Sequence, residues 1–93
     1  MIRIVKMHFK PEFCEDFLEL YKDAHPKITA MPGCEGVQLL RDIHKPEIMF
    51  TYSHWRDEAA LENYRHSVLF IETWKNTKVL FAEKAHAWSV EEY

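Results

Sequence analysis

Residues 32–42 read PGCEGVQLLRD, and residues 48–61 read IMFTYSHWRDEAAL. Gly33 and Gly36 are the only two glycines in the chain, and they lie where a long helical pattern stops. Two short apolar segments joined by a tight connection follow them, which predicts a pair of neighbouring strands. Asp57 suits the N-cap of a helix, because its carboxylate can accept hydrogen bonds from free N–H groups of the first turn.

The predicted elements alternate between strands and helices along the chain. In chain order they are a strand at 2–9, a helix at 12–30, strands at 35–42 and 47–55, a helical region at 58–82 and a strand at 85–91. The order β-α-β-β-α-β is that of the ferredoxin-like fold. We therefore predict one α+β domain over residues 1–93, with a four-stranded antiparallel sheet in the order 4-1-3-2 and both helices on one face. Ser67 can cap a new helix, which would divide the second helical region.

Both faces of the first strand are apolar. Val5 and Met7 form one row, and Ile2 and Ile4 form the other. The helices cover only one face, and 47% of the residues are hydrophobic, so the other face needs a partner. A two-fold axis pairs identical surfaces, and a homodimer through the bare sheet face is therefore predicted. The result would be a dimeric α/β barrel.

Charge and apolar runs exclude several classes of partner. The net charge is -3, and no stripe of Lys and Arg is present, so no nucleic acid partner is predicted. No apolar run approaches the ~20 residues of a membrane span, so no membrane partner is predicted. The N-terminal segment lacks the apolar core of a signal peptide, which predicts a cytoplasmic protein. Cys14 and Cys34 are then expected to be free thiols.

Three segments carry a family resemblance: PGC at 32–34, LLRD at 39–42 and, most specifically, HWRDEAAL at 54–61. The chain resembles the antibiotic-biosynthesis-monooxygenase-like (ABM) family of dimeric α/β barrels over nearly its whole length. The resemblance implies a pocket between helices and sheet in each subunit. It also implies oxygenation of a small aromatic or quinol-type substrate without metal or flavin, so no cofactor and no metal are predicted.

The polar break in the second helical region supplies the predicted catalytic side chains. They are Tyr64, His66 and Trp74. Packing in the core explains Tyr64 and Trp74 without chemistry, so a structural role for them stays open. For His66 the alternative is an exposed position on the helix surface. The residues predicted to bind the substrate are apolar or aromatic: Val5, Met7, Phe17, Tyr21 and Phe70.

Two alternative functions stay open. A non-catalytic dimer that binds a small molecule, or whose pocket is filled by bulky side chains, would have the same sequence pattern. Tyr21 and His25 lie four residues apart on one helix face, similar to sugar mutarotases built on the same barrel. Haem-degrading relatives need Asn, Trp and His where this chain has Val5, Tyr64 and Trp74, so haem degradation is not predicted.

Six histidines raise the question of a metal site. In the predicted sheet order, His8 near the end of the first strand would face His86 near the start of the last. Two histidines without a nearby carboxylate form an incomplete ligand set, so these residues are assigned to the surface or the interface.

Overall fold

Four strands and three α-helices make up the computed structural model, which describes residues 1–93. In chain order they are β1 (Ile2–Phe9), a 3-10 turn (Pro11–Phe13), α1 (Cys14–Thr29), β2 (Cys34–Arg41), β3 (Ile48–Trp55), α2 (Glu58–Arg65), α3 (Val68–Lys78) and β4 (Phe81–Val90). The strands form one antiparallel sheet in the order β2-β3-β1-β4. The predicted α+β ferredoxin-like fold and the predicted strand order are confirmed.

Two polar caps divide the second helical region. The side chain of Asp57 accepts a hydrogen bond from the backbone nitrogen of Ala60 at 2.8 Å and starts α2. The hydroxyl of Ser67 accepts one from the nitrogen of Phe70 at 3.1 Å and starts α3, as predicted. These caps satisfy N–H groups that have no partner within a helix.

The boundary between α3 and β4 differs from the prediction. Residues up to 82 were assigned to the helix, but β4 begins at Phe81. Phe81 is paired with Phe9 across the sheet, and the two rings lie 5.3 Å apart. The predicted boundary was wrong because Phe81 also fits the helical spacing from Trp74 and Thr77, and tertiary pairing outweighs local pattern.

Gly33 brings the loop before β2 into close contact with α2. Its φ of 79° is in the left-handed region, which favours glycine. A Cβ added there would lie 2.5 Å from the Cβ of Ala60. The carbonyl of Gly33 also accepts a hydrogen bond from the nitrogen of Arg56 at 2.8 Å. Glycine at this position therefore allows the loop to pack directly on the first turn of α2.

The molecule has two layers, the helices and the sheet, and measures 35 × 32 × 20 Å. The helix-facing side of the sheet carries the buried core, including Met7, Met49 and Trp55. The opposite side, called here the outer face, has three central cross-strand rows. They are Gly36–His54–Ile2–Val90, Gln38–Tyr52–Ile4–Trp88 and Leu40–Phe50–Lys6–His86. No helix covers these rows, and Leu40 and Trp88 are about half exposed.

None of the helices is both long and apolar enough to cross a membrane.

Candidate active site

A cavity of about 420 Å³ lies between the helices and the sheet. Fourteen of its 20 lining residues are hydrophobic, and the volume is in the range of small-molecule sites. All five predicted substrate-binding residues line it: Val5, Met7, Phe17, Tyr21 and Phe70. Two of the three predicted catalytic residues, Tyr64 and Trp74, line it as well. The structure thus brings seven predicted site residues together, while their roles stay predictions.

Aromatic rings from β3, α2, α3 and β4 form a continuous wall, and all of them except Phe81 line the cavity. Trp55 and Tyr64 stack at 5.0 Å between ring centroids, and Tyr64 meets Phe70 edge-on at 5.2 Å. Phe70 and Trp74 are almost parallel at 6.0 Å, and Trp74 meets Phe81 at 5.6 Å. Such a wall offers faces and edges to a flat, electron-rich ring.

Tyr64 is a hydrogen-bond donor in this wall. Burial, followed by the influence of Cys34, raises the pKa of Tyr64 to about 12. The phenol therefore keeps its proton near neutral pH, and its hydroxyl makes no hydrogen bond within the chain. A protonated phenol in an apolar wall can donate to a ligand but cannot serve as a base at neutral pH.

The raised pKa of Tyr64 predicts a loss of stability at alkaline pH. In the unfolded chain Tyr64 loses its proton near the ordinary pKa of 10.0, whereas the folded protein holds it to about 12. Between these values the unfolded state releases protons first, so the free energy of unfolding falls as pH rises. We expect a steeper fall for the wild type than for Tyr64→Phe in denaturant unfolding across this window.

The matched control for this titration is Tyr93→Phe, because Tyr93 is fully exposed at the C-terminus. It should retain the slope of the wild type. Equal slopes for the wild type and Tyr64→Phe would contradict the assignment of the raised pKa to Tyr64.

A polar strip borders one end of the cavity. The indole nitrogen of Trp55 donates to the hydroxyl of Ser53 at 3.0 Å, and this bond is buried. Arg3 is paired with Ser53 on β3 and Ser89 on β4, and its Nη1 donates to the Ser89 hydroxyl at 2.9 Å. Arg65, the last residue of α2, also lines the cavity. Neither arginine was predicted from the sequence, although Arg3 lies on the same helix-facing row of β1 as Val5 and Met7.

The cavity opens beside β4. Among its lining residues only Arg65 and Ala87 are exposed. The helix-facing side of β4 carries the small residues Ala87 and Ser89, which leave space between this strand and the helices. A ligand can therefore enter between β4 and the end of α2.

Two of the predicted histidines do not reach the cavity. His66 is exposed, and its Nδ1 lies 2.7 Å from the carbonyl of Glu62, so the structure does not bring it to Tyr64 and Trp74 as the sequence analysis expected. The mutarotase-like alternative requires His25 to face the pocket with Tyr21. Its Nε2 instead donates to the carbonyl of Val37 at 2.9 Å, and His25 is not among the lining residues.

The predicted pairing of His8 with His86 was wrong. His8 is paired with Glu83, and Lys6 is paired with His86, because the register of β4 shifts twice along β1. The Nδ1 of His8 lies 3.4 Å from the carboxylate of Glu83. No three His, Cys, Asp or Glu side chains converge in a metal-binding group.

Residues 1–78 match the family described as antibiotic biosynthesis monooxygenase. The chain belongs to this family. The match includes every residue that lines the ABM cavity except Ala87, and it ends at Lys78, the last residue of α3. Among curated proteins no match is found.

Solved structures share the ABM fold over almost the whole chain. An antibiotic biosynthesis monooxygenase superposes with a TM-score of 0.91 and 20% identity, over 100% of this chain and 99% of that chain. A conserved protein from Methanosarcina mazei Go1 superposes with a TM-score of 0.87 and 25% identity, over 92% of this chain and 86% of that chain. A Pseudomonas aeruginosa protein superposes with a TM-score of 0.80 and 21% identity, over 98% of this chain and 93% of that chain. The fold is therefore that of the ABM family from β1 to β4.

Proposed function

We propose that this ABM family member is a cofactor-independent, monooxygenase-like oxidoreductase that acts on a small aromatic or quinol-type molecule. The observation that carries the proposal is the cavity of about 420 Å³ with its aromatic wall. Its volume suits a substrate of two or three fused rings, and the parallel Phe70 and Trp74 rings suit a flat one. The family membership supports the same chemistry.

The reaction needs little from the protein beyond a suitable environment. An anthrone-type substrate loses a proton, and the resulting anion passes an electron to dioxygen. Overall a CH₂ group and O₂ give C=O and water, so the substrate supplies all the electrons. The apolar wall excludes water from the reactive anion. The Tyr64 hydroxyl and the Trp74 indole N–H, which have no partner within the chain, donate to the developing oxyanion.

Proton removal is assigned to water at the opening beside β4. No histidine, aspartate or glutamate lines the cavity, and Tyr64 stays protonated because its pKa is about 12. A substrate whose own C–H or O–H is acidic can lose its proton to water that enters through the opening at Arg65 and Ala87. The rate should therefore follow the pKa of the substrate more than that of any side chain.

The alternative functions have less support. A pocket filled by its own side chains is disfavoured by the open volume between helices and sheet. Anomer exchange by Tyr21 and His25 is disfavoured because His25 is bonded to the carbonyl of Val37 outside the cavity. Oxygen consumption distinguishes the proposed oxygenation from binding of an aromatic molecule without turnover.

Oxygen consumption with a panel of quinols and anthrones tests the proposal. We expect saturable uptake with at least one tricyclic substrate, and a fall of about 10-fold or more in kcat for Tyr64→Phe. Trp74→Phe keeps the ring and removes the N–H, so we expect a smaller fall in the same direction. Tyr93→Phe, far from the cavity, should retain the activity of the wild type.

Two results would contradict this proposal. One is the absence of uptake with every substrate that binds. The other is an uptake that is equal in Tyr64→Phe, Trp74→Phe and the wild type.

We also infer that two copies associate through the outer face. The chain exposes 6241 Å², whereas a folded monomer of 11.2 kDa typically exposes about 5,700 Å². The three central rows of the outer face carry apolar and aromatic side chains and only one permanent charge, Lys6. A second copy presents the same surface, and a two-fold axis would bury both.

A further inference from the structure

The cavity carries positive charge at one end and no negative charge anywhere. Arg3 and Arg65 are its only charged lining residues, and no carboxylate lines it. Arg3 comes from β1, an interior strand of the sheet, and Arg65 comes from the end of α2. Two separate elements thus place guanidinium groups beside the same opening.

These charges are only partly neutralised. Arg3 makes no ion pair; its Nη1 donates to the neutral hydroxyl of Ser89. Arg65, which lines the cavity, is paired through Nη1 with Glu62 at 2.7 Å, whereas Glu62 itself does not line the cavity. Burial, and after it the charge of Arg65, lowers the pKa of Arg3, and the Glu62 carboxylate raises it, so the two cations and this one carboxylate lie near one another. One carboxylate leaves a net positive charge on the group, which an anion bound in the cavity would offset.

The position of the cations relative to the aromatic wall defines the shape of a ligand. Arg3 is paired with Ser53, whose hydroxyl accepts from the indole of Trp55, and Trp55 stacks on Tyr64. The wall then continues away from this end through Phe70. A ligand that satisfies both features has a flat ring system with a negatively charged group at one end.

We propose that Arg3 and Arg65 form a carboxylate-binding subsite, so that the preferred ligand is a polycyclic aromatic acid. The inference rests on the proposed function only for the location of the site. Arginine presents several N–H donors in a plane that matches the two oxygens of a carboxylate. The carboxylate lies at the opening beside β4, and the rings lie along Tyr64, Phe70 and Trp74.

Calorimetric titration of the full chain with matched ligands tests the subsite. The ligands are 2-naphthoate, neutral 2-naphthol and 2-naphthyl phosphate. We expect 2-naphthoate to bind about 10-fold or more tightly than 2-naphthol, in line with hydrogen bonds to a charged group. This preference should decrease as salt increases, because Arg65 is exposed.

Variants assign the preference to the two arginines. Arg3→Gln and Arg65→Gln each keep a hydrogen-bonding side chain and remove the charge, and each should reduce the ratio of the 2-naphthoate affinity to the 2-naphthol affinity. Arg41→Gln is the matched control, since Arg41 lies outside the cavity and donates to the carbonyl of Pro46. If Arg3→Gln does not fold, Arg65→Gln, at an exposed position, tests the subsite by itself.

Several outcomes would overturn the inference. They are equal binding of 2-naphthoate and 2-naphthol, a preference that survives Arg65→Gln, and tighter binding of 2-naphthyl phosphate than of 2-naphthoate. These outcomes are independent of turnover. A preference for the acid without oxygen uptake would contradict the proposed oxygenation but support the carboxylate-binding subsite. Oxygen uptake with equal binding of the acid and the neutral ligand would support the oxygenation and contradict the subsite.

Discussion

The Gly33→Ala variant is expected to lose about 2–5 kcal/mol of unfolding free energy. About 1–2 kcal/mol comes from placing a Cβ at a φ of 79°, and about 1–3 kcal/mol from overpacking against α2. The second contribution arises because the new Cβ would lie 2.5 Å from the Cβ of Ala60. In a domain of this size each kcal/mol lowers Tm by roughly 4–8 °C, so a thermal melt resolves the effect easily.

Gly36→Ala is the matched control for this variant. Gly36 also has a positive φ, 147°, but no atom lies within 4 Å of the Cβ that alanine would add. It should therefore lose only the backbone contribution. The double variant Gly33→Ala with Ala60→Gly should recover the overpacking part, although glycine in a helix itself costs about 1 kcal/mol. Equal losses for Gly33→Ala and Gly36→Ala would show that the loop does not pack closely on α2.

The Ile4→Glu variant is expected to convert the proposed dimer into monomers. Ile4 lies on the central strand β1, between Tyr52 and Trp88 in the middle row of the outer face. A two-fold dimer would bury two unpaired carboxylates there, and an unpaired buried charge costs about 3–5 kcal/mol. With one such carboxylate from each copy, the dissociation constant should rise by about four orders of magnitude or more, so that sedimentation velocity at micromolar concentration detects only monomer.

Val68→Glu is the control for the same change in charge. Val68 is 77% exposed at the start of α3, on the helical side of the molecule. It should sediment as the wild type does. A wild type that sediments as an 11.2 kDa species, or an Ile4→Glu variant that stays dimeric, would contradict the proposed association through the outer face.

Local patterns predicted most of the fold because most elements carry their own start and stop residues. Asp57 and Ser67 cap the helices that they were expected to cap. Alternation along β1 placed Val5 and Met7 toward the helices, and these residues line the cavity. The strand order follows once the order β-α-β-β-α-β is fixed.

The errors come from interactions between distant residues. Phe81 continues a helical spacing, and only its pairing with Phe9 places it in β4. The partner of His8 depends on two register shifts in β4, which no local pattern marks. Arg3 and Arg65 are distant in the sequence and become neighbours only in the fold. Each arginine alone therefore has the sequence pattern of a surface charge. His66 lies one residue after Arg65, where the helix directs it to solvent.

The sheet is a single layer thick, and consecutive residues of β1 therefore serve two different surfaces. Val5 borders the chamber, and Ile4 belongs to the uncovered side. Protein engineers who alter β1 to accept new ligands would also change the surface proposed for association, because one peptide unit separates the two surfaces. Phe70 and Trp74 on α3 are better targets for redesign, since they border the chamber from the helical layer and leave the strands unchanged.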